Sequence, residues 1–126
     1  MKKNNFLKAY IYLFVTVLFF SCTKNGGTGY IPYLSVPFTD KSSSINDAYI
    51  FTVANDGAYT STFTGVEDLN YSTQYTFSGN FTNANISFAF TSGPKNGTKY
   101  SGIISGQGNN EIITLNTPTG KIVLAR

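Results

Sequence analysis

The sequence predicts an all-β domain, an antiparallel up-and-down meander that closes as a small barrel, with a two-sheet sandwich as the alternative. After residue 30 no apolar pattern of helical period occurs, and Tyr, Phe, Ile and Thr alternate with period two instead. Gly, Asn and Pro interrupt these runs at short intervals, which is typical of tight turns. Because short connections join consecutive strands, neighbours in sequence should be neighbours in the sheet. Closure into a barrel would also remove exposed strand edges.

Seven strands are predicted from this alternation. They cover residues 48–53, 58–65, 71–81, 86–90, 99–105, 111–116 and 121–125. An eighth is expected if the extended segment 30–38 joins the sheet, although its two prolines favour an edge or a linker. Gly79 is expected to mark a bulge or a bend. Residues 66–70 are predicted to form a loop.

The N-terminal part of the 126-residue chain has the layout of a secretory signal. Three lysines lie within the first eight residues, and an apolar run follows over residues 9–20. That run is short for a spanning helix, which needs about 20 residues. The predicted organisation is therefore a signal peptide over residues 1–21, a lead-in over 22–47 and a β-barrel domain over 48–126.

The apolar run closes on Phe19-Phe20-Ser21-Cys22, and Cys22 is the chain's only cysteine. This motif resembles the lipobox of bacterial lipoproteins, in the looser form found in Bacteroidetes. The resemblance implies that Cys22 carries a diacylglyceryl group and becomes the N-terminus after cleavage. It also implies a cell-envelope protein anchored to a membrane by lipid, with the outer membrane favoured over the inner. The Gly-rich residues 25–29 predict a flexible tether.

Charge argues against a nucleic-acid partner. Once residues 1–21 are removed, six basic residues face six acidic ones, so the formal net charge is zero. A nucleic-acid surface needs a clustered basic patch, and the sequence contains none.

Most catalytic and metal chemistry is also disfavoured. The chain has no histidine, and its one cysteine is Cys22, which excludes Cys/His metal sites and serine–histidine or cysteine–histidine catalysis. The adjacent Glu67 and Asp68 fall in the predicted loop and are expected to be solvated. Asp47 is expected at a strand end, where aspartate caps backbone groups. The sequence therefore predicts no enzyme activity, no metal and no cofactor.

Aromatic residues make up 16% of the chain and are its one unusual feature. Many of them would converge inside a barrel, either as a packed core or as an apolar pocket with tyrosine hydroxyls orienting a ligand. The candidate pocket residues are Tyr59, Phe63, Tyr75, Phe77, Phe88 and Tyr100. A third interpretation places tyrosines outside as a contact surface.

The spacing of residues 75–81, 86–90 and 100–104 resembles the strand cadence of calycin-type barrels, the lipocalin-like and avidin-like group. Residues 111–126 are similar to the closing hairpin of small lipocalin-like lipoproteins. The resemblance implies non-enzymatic binding of a small hydrophobic ligand. Tryptophan is absent, so biotin binding is not expected. The alternative function is a structural or protein-interaction module of an envelope assembly, or an inhibitor of a secreted enzyme, with a fully packed core.

Overall fold

The computed structural model describes residues 29–126, which form a closed barrel of eight antiparallel strands joined in sequence order. The strands are β1 Phe38–Asp40, β2 Asp47–Val53, β3 Thr60–Leu69, β4 Thr73–Thr82, β5 Asn85–Phe90, β6 Lys99–Ser105, β7 Ile112–Thr117 and β8 Gly120–Ala125. β1 pairs with both β2 and β8 and so closes the ring. The predicted small, calycin-like meander barrel is confirmed, and the sandwich alternative is wrong. The predicted signal, Cys22 and most of the tether lie outside the described residues.

The barrel has two ends, which we call upper and lower. The upper end carries the connections β1–β2, β3–β4, β5–β6 and β7–β8. The lower end carries β2–β3, β4–β5 and β6–β7, together with residues 29–37, which lead into β1 and which we call the strap. Within residues 29–126, no helix has the length and apolarity needed to cross a bilayer.

Alternation within each strand separates an apolar interior from a polar wall. In β5, Ile86, Phe88 and Phe90 are buried, while Ser87 between them is exposed. Tight ring contacts fill the interior: the Phe77 and Phe88 rings lie 4.5 Å apart, and Phe88 lies 5.5 Å from the Tyr100 ring. An eight-stranded barrel is just wide enough to be filled in this way.

Two strands differ from the prediction. Residues 66–69 belong to β3 and not to a loop, because Leu69 still pairs with Asp47 on one side and Thr73 on the other. Pairing on both sides satisfies the backbone polar groups that a loop would leave to water. The segment 30–38 does not form the eighth strand as a whole: the strand is β1, which overlaps that segment only at Phe38 and begins after Pro32 and Pro37.

Gly79 does not form a bulge, because β4 keeps continuous register with both neighbours. The absent side chain instead permits close approach of the next strand. A Cβ atom at this position would lie 2.0 Å from the Ser87 carbonyl oxygen and 2.5 Å from the Phe88 Cβ. The glycine therefore lets β4 and β5 curve around the aromatic interior.

Gly79→Ala is expected to lower the free energy of unfolding by about 2–3 kcal/mol, since the added methyl overlaps backbone that cannot move aside. Ser78→Ala, the matched change at the neighbouring outward position, should stay within about 0.5 kcal/mol of the natural protein. Urea titration of both variants measures this. Equal stability of the two variants would mean that strand curvature does not depend on Gly79.

Candidate functional site

A cluster of polar side chains lies inside the upper end of the barrel, where alternation alone would place apolar residues. Glu67 projects inward from β3, directly opposite Tyr49 on β2 and Tyr75 on β4. Asp47 precedes Tyr49 by two residues and therefore shares its face. Lys95 enters the cluster from the β5–β6 connection. We call Asp47, Tyr49, Glu67 and Lys95 the upper cluster.

Glu67 is the centre of the upper cluster and is fully buried. Its Oε1 accepts a hydrogen bond of 2.7 Å from the Tyr49 hydroxyl and one of 2.5 Å from Lys95 Nζ. The ammonium of Lys95 also lies 5.1 Å from the centre of the Phe90 ring. A buried carboxylate requires this kind of pairing, because an isolated charge in an apolar interior costs several kcal/mol.

The connection that carries Lys95 is fixed by its own backbone. The Phe90 amide donates to the Thr98 carbonyl at 3.0 Å, and the Thr98 amide donates to the Lys95 carbonyl at 2.8 Å. Gly93, at a φ of 72°, lies so close to the Tyr75 ring that a Cβ would overlap it. These contacts hold Lys95 over the open end of the barrel.

Asp47 has the fewest hydrogen-bond partners of the four residues in the upper cluster. Its Oδ1 has no hydrogen-bond partner in the described residues, and neither has Glu67 Oε2. Burial and the nearby charge of Glu67 raise the pKa of Asp47 to about 6, against the opposing charge of Lys95 and with a small contribution from Asp40. The upper cluster therefore contains two carboxylates and one compensating ammonium.

In the upper cluster, Lys95 and the Tyr49 hydroxyl both serve as hydrogen-bond donors to Glu67. Burial disfavours the charged form of Lys95, but the hydrogen bond and charge of Glu67 raise its pKa above the ordinary value. Burial, with the Glu67 hydrogen bond, also raises the pKa of the Tyr49 hydroxyl. Both groups thus keep their protons at neutral pH and act as donors to Glu67. In the part of the chain that the structure describes, no group of three metal-ligating side chains converges.

Asp47→Asn is expected to stabilise the protein at pH 7.5 by about 1–2 kcal/mol. The two-unit rise in pKa is worth about 3 kcal/mol, and solvent at the barrel mouth reduces that figure. Because the pKa is raised in the folded state, protonation of Asp47 stabilises the natural protein fully below pH 4, and this contribution is lost as the pH rises through 6.

The advantage of Asp47→Asn should therefore vanish near pH 4, which urea titrations between pH 4 and 8 will measure. In a Glu67→Gln background the advantage at pH 7.5 should shrink, since the repelling charge is gone. A difference that stays constant across this pH range would contradict the assignment.

The lower end is closed around a further buried carboxylate, Glu111. It accepts hydrogen bonds from the Tyr30 hydroxyl at 2.7 Å and from the Tyr33 amide at 2.9 Å. Arg126 completes the site with an ion pair of 3.1 Å to Glu111 and a further hydrogen bond to the Tyr33 carbonyl. These contacts tie the strap to β7 and β8, and Leu34 is thereby buried under the barrel.

The structure brings four of the six predicted pocket residues together. Phe63, Phe77, Phe88 and Tyr100 are buried in one cluster of touching rings. Tyr75 is half-buried and packs against the edge of that cluster. The predicted interior position of Tyr59 is wrong: its side chain is 49% exposed at the lower end, because β3 begins only at residue 60.

Four hollows of about 300–510 Å³ lie on the outer wall. Outward-facing threonine, serine and asparagine line most of their surface. The most central of these residues are Thr64, Ser78, Asn80, Ser87 and Ser101. In residues 29–126 the side chains of these five make no hydrogen bond to other protein groups. The hollows of the outer wall are thus mostly uncharged, with Lys99 as the one charged residue of the described part of the chain that lines them.

Neither the upper cluster nor the buried site of Glu111 is predicted from the sequence. Glu67 and Asp68 are not solvated as expected, since both are buried in β3. The sequence does contain a pattern that indicates the burial of Glu67. Residues 63, 65 and 67 continue one alternating face past the predicted end of the strand. Lys95 carried no such signal, because its position depends on how its connection folds over the end.

Comparisons with protein families, with curated proteins and with solved structures find no match to this chain. The arguments for function therefore come from the sequence and the geometry of the barrel.

Proposed function

We propose that this chain is a cell-envelope lipoprotein whose barrel is a filled, non-enzymatic interaction module that binds an envelope protein through its outer wall. The observation that carries the proposal is the interior itself. Seven aromatic rings from five strands contact one another there, and they leave the concave surfaces outside. They are Tyr49, Phe51, Phe63, Phe77, Phe88, Phe90 and Tyr100.

Both ends of the barrel support a closed scaffold. The Lys95–Glu67 pair covers the upper end, and the strap held by Glu111 covers the lower end. A lipocalin-like ligand site would need an open mouth and a cavity behind it. The outer wall offers unpaired hydroxyl and amide groups at successive strands, which is the kind of surface that a polar interface uses.

The envelope location in this proposal comes from the lipobox-like residues 19–22. A diacylated cysteine supplies at least two acyl chains, which is the number that stable membrane attachment generally takes. The protein would then act while attached to a membrane surface.

Site-specific photo-crosslinking in cells tests the interaction proposal on the full chain. A crosslinker at Ser87 or Ser101 on the wall should give one discrete protein adduct, and a crosslinker at Thr119 in the upper β7–β8 turn should not. The mass of the purified protein should show loss of residues 1–21 and a lipid on Cys22. Folded, lipidated protein without any wall adduct would argue against an interaction module.

The second candidate function is binding of a small hydrophobic ligand inside the barrel. One observation favours it: Glu67 Oε2 and Asp47 Oδ1 are unpaired at the upper end, beside the aromatic interior. A ligand with an apolar body and an N–H donor could satisfy them if Lys95 moved away. The aromatic rings of the barrel interior would first have to separate to make room for such a ligand, and their close packing opposes this.

A further inference from the structure

Charge and exposed apolar surface are divided between the two ends of the barrel. Of the eleven charged residues within 29–126, eight lie at the upper end or in the upper half of a strand. These are Asp40, Lys41, Asp47, Glu67, Asp68, Lys95, Lys99 and Lys121. At the lower end, Glu111 and Arg126 pair with each other, and this leaves Asp56 as the one exposed charge there among the described residues.

Exposed large apolar side chains are most numerous at the lower end, and two others, Ile45 and Tyr71, are exposed at the upper end. Four such side chains surround the lower end and are each between 39% and 49% exposed: Ile31, Tyr33, Tyr59 and Ile112. We call these four the lower rim. Ile31 and Tyr59 line one hollow of about 490 Å³ together with Glu111, which accepts a hydrogen bond from the Tyr33 amide and precedes Ile112 in the chain. Several exposed apolar side chains at one end of a fold are a reason to look for an interaction site there.

The short distance along the chain between the lower rim and Cys22 indicates what contacts the lower rim. The described residues begin at Gly29, which lies against the Tyr59 ring, within the lower rim. Gly29 is the seventh residue after Cys22, so the two are at most about 25 Å apart. A lipid on Cys22 therefore holds the lower end near the bilayer and leaves the charged upper end on the far side.

From this arrangement we infer that the lower rim rests in the headgroup region of the membrane that holds the anchor. The inference depends on the proposed lipidation of Cys22. Tyrosine suits such a position, because its ring is apolar while its hydroxyl meets water and headgroups. The barrel would then stand with its lower end on the membrane and with its outer wall and upper end open to partners.

The test uses the full chain, purified from the membranes of a host that processes lipoproteins and reconstituted into phosphatidylcholine and phosphatidylethanolamine vesicles. The mass of the protein reports lipidation of Cys22 separately. If Cys22 is unmodified, the proposed lipidation fails, and a maleimide phospholipid coupled to the same thiol still allows the rim to be examined. Hydrogen–deuterium exchange is then compared with the Cys22→Ser protein in the same vesicles.

Exchange should slow several-fold in residues 30–35, 54–59 and 106–112 at the lower end, and it should stay unchanged in residues 41–46 and 70–72 at the upper end. The double variant Ile31→Ser/Tyr59→Ser should abolish that protection. The matched variant Ile45→Ser/Tyr71→Ser, which removes the same residue types from the upper end, should retain it.

Unchanged exchange at both ends of the anchored protein would overturn the inference and leave lipidation standing. Protection of the upper end would overturn it as well. So would a dimer of the Cys22→Ser protein, detected by light scattering without vesicles, whose formation protects the lower rim, since a second copy would then be its occupant.

Discussion

Phe88→Ala is expected to lower the free energy of unfolding by about 3–5 kcal/mol, the largest effect of any single truncation in the barrel. The Phe88 ring contacts six other aromatic rings, and the nearest of these, Phe77, lies at 4.5 Å. Truncation removes these contacts and leaves a cavity that strands held in continuous register cannot collapse to fill. A domain of this size has about 5–15 kcal/mol of stability in total, so the loss is a large part of it.

Urea titration of Phe88→Ala, Phe88→Leu and a surface control measures this effect. Phe88→Leu keeps most of the volume and should cost about 1.5 kcal/mol. Tyr71→Ala, at a side chain that is 84% exposed, should change stability by no more than about 0.5 kcal/mol. A cost below about 1 kcal/mol for Phe88→Ala would mean that the interior already contains free space.

Lys95→Met is expected to lower the free energy of unfolding by about 2–4 kcal/mol, because it leaves Glu67 buried and without its counter-charge. Lys95 is 36% exposed, so part of the charge on Glu67 could still be screened by water, and the lower half of that range is favoured. The methionine side chain has nearly the length of lysine and can still cover the Phe90 ring.

Rescue by a second substitution separates the lost ion pair from simple loss of packing. The double variant Glu67→Gln/Lys95→Met should recover most of the stability, since the amide oxygen can still accept from the Tyr49 hydroxyl and position 67 no longer carries a buried charge. Thermal and urea unfolding of the single and double variants form the cycle. Additive losses in the double variant would show that Lys95 and Glu67 are not coupled.

The sequence was sufficient to predict the fold, because the barrel is built from local patterns. Alternation in residues 86–90 and the turn residues 93–97 each specify one element without reference to the rest. With short connections throughout, the order of strands follows from their order in the chain. Closure of the barrel depends on β1, which has only three residues and follows two prolines. The sequence therefore predicts this strand only conditionally.

The functional surfaces could not be predicted in the same way. Whether aromatic side chains converge as a pocket or as a packed core depends on the barrel's width and on what covers its ends, and both are non-local. Lys95 and Glu67 are 28 residues apart, and Glu111 meets Tyr33 across 78 residues. Tyr59 was assigned to the interior by alternation alone, but the strand that would direct it inward begins one residue later.

Taken together, the closed ends and the filled interior distinguish this barrel from an open, ligand-carrying one. The polar side chains of the upper cluster occupy the upper end of the barrel, and the strap covers the lower end. Under the proposed function, the outer wall would bind the partner and the lower rim would contact the membrane. The predictions on Phe88 and Lys95 examine the two features on which this account depends.

Native mass spectrometry of the full chain, purified from a host envelope without denaturation, tests the filled interior most directly. The account predicts that the native mass equals the denatured mass, with any lipid on Cys22 present in both because it is covalent. A reproducible extra mass that is lost on denaturation would contradict it, since the barrel would then hold a ligand where the structure places packed rings.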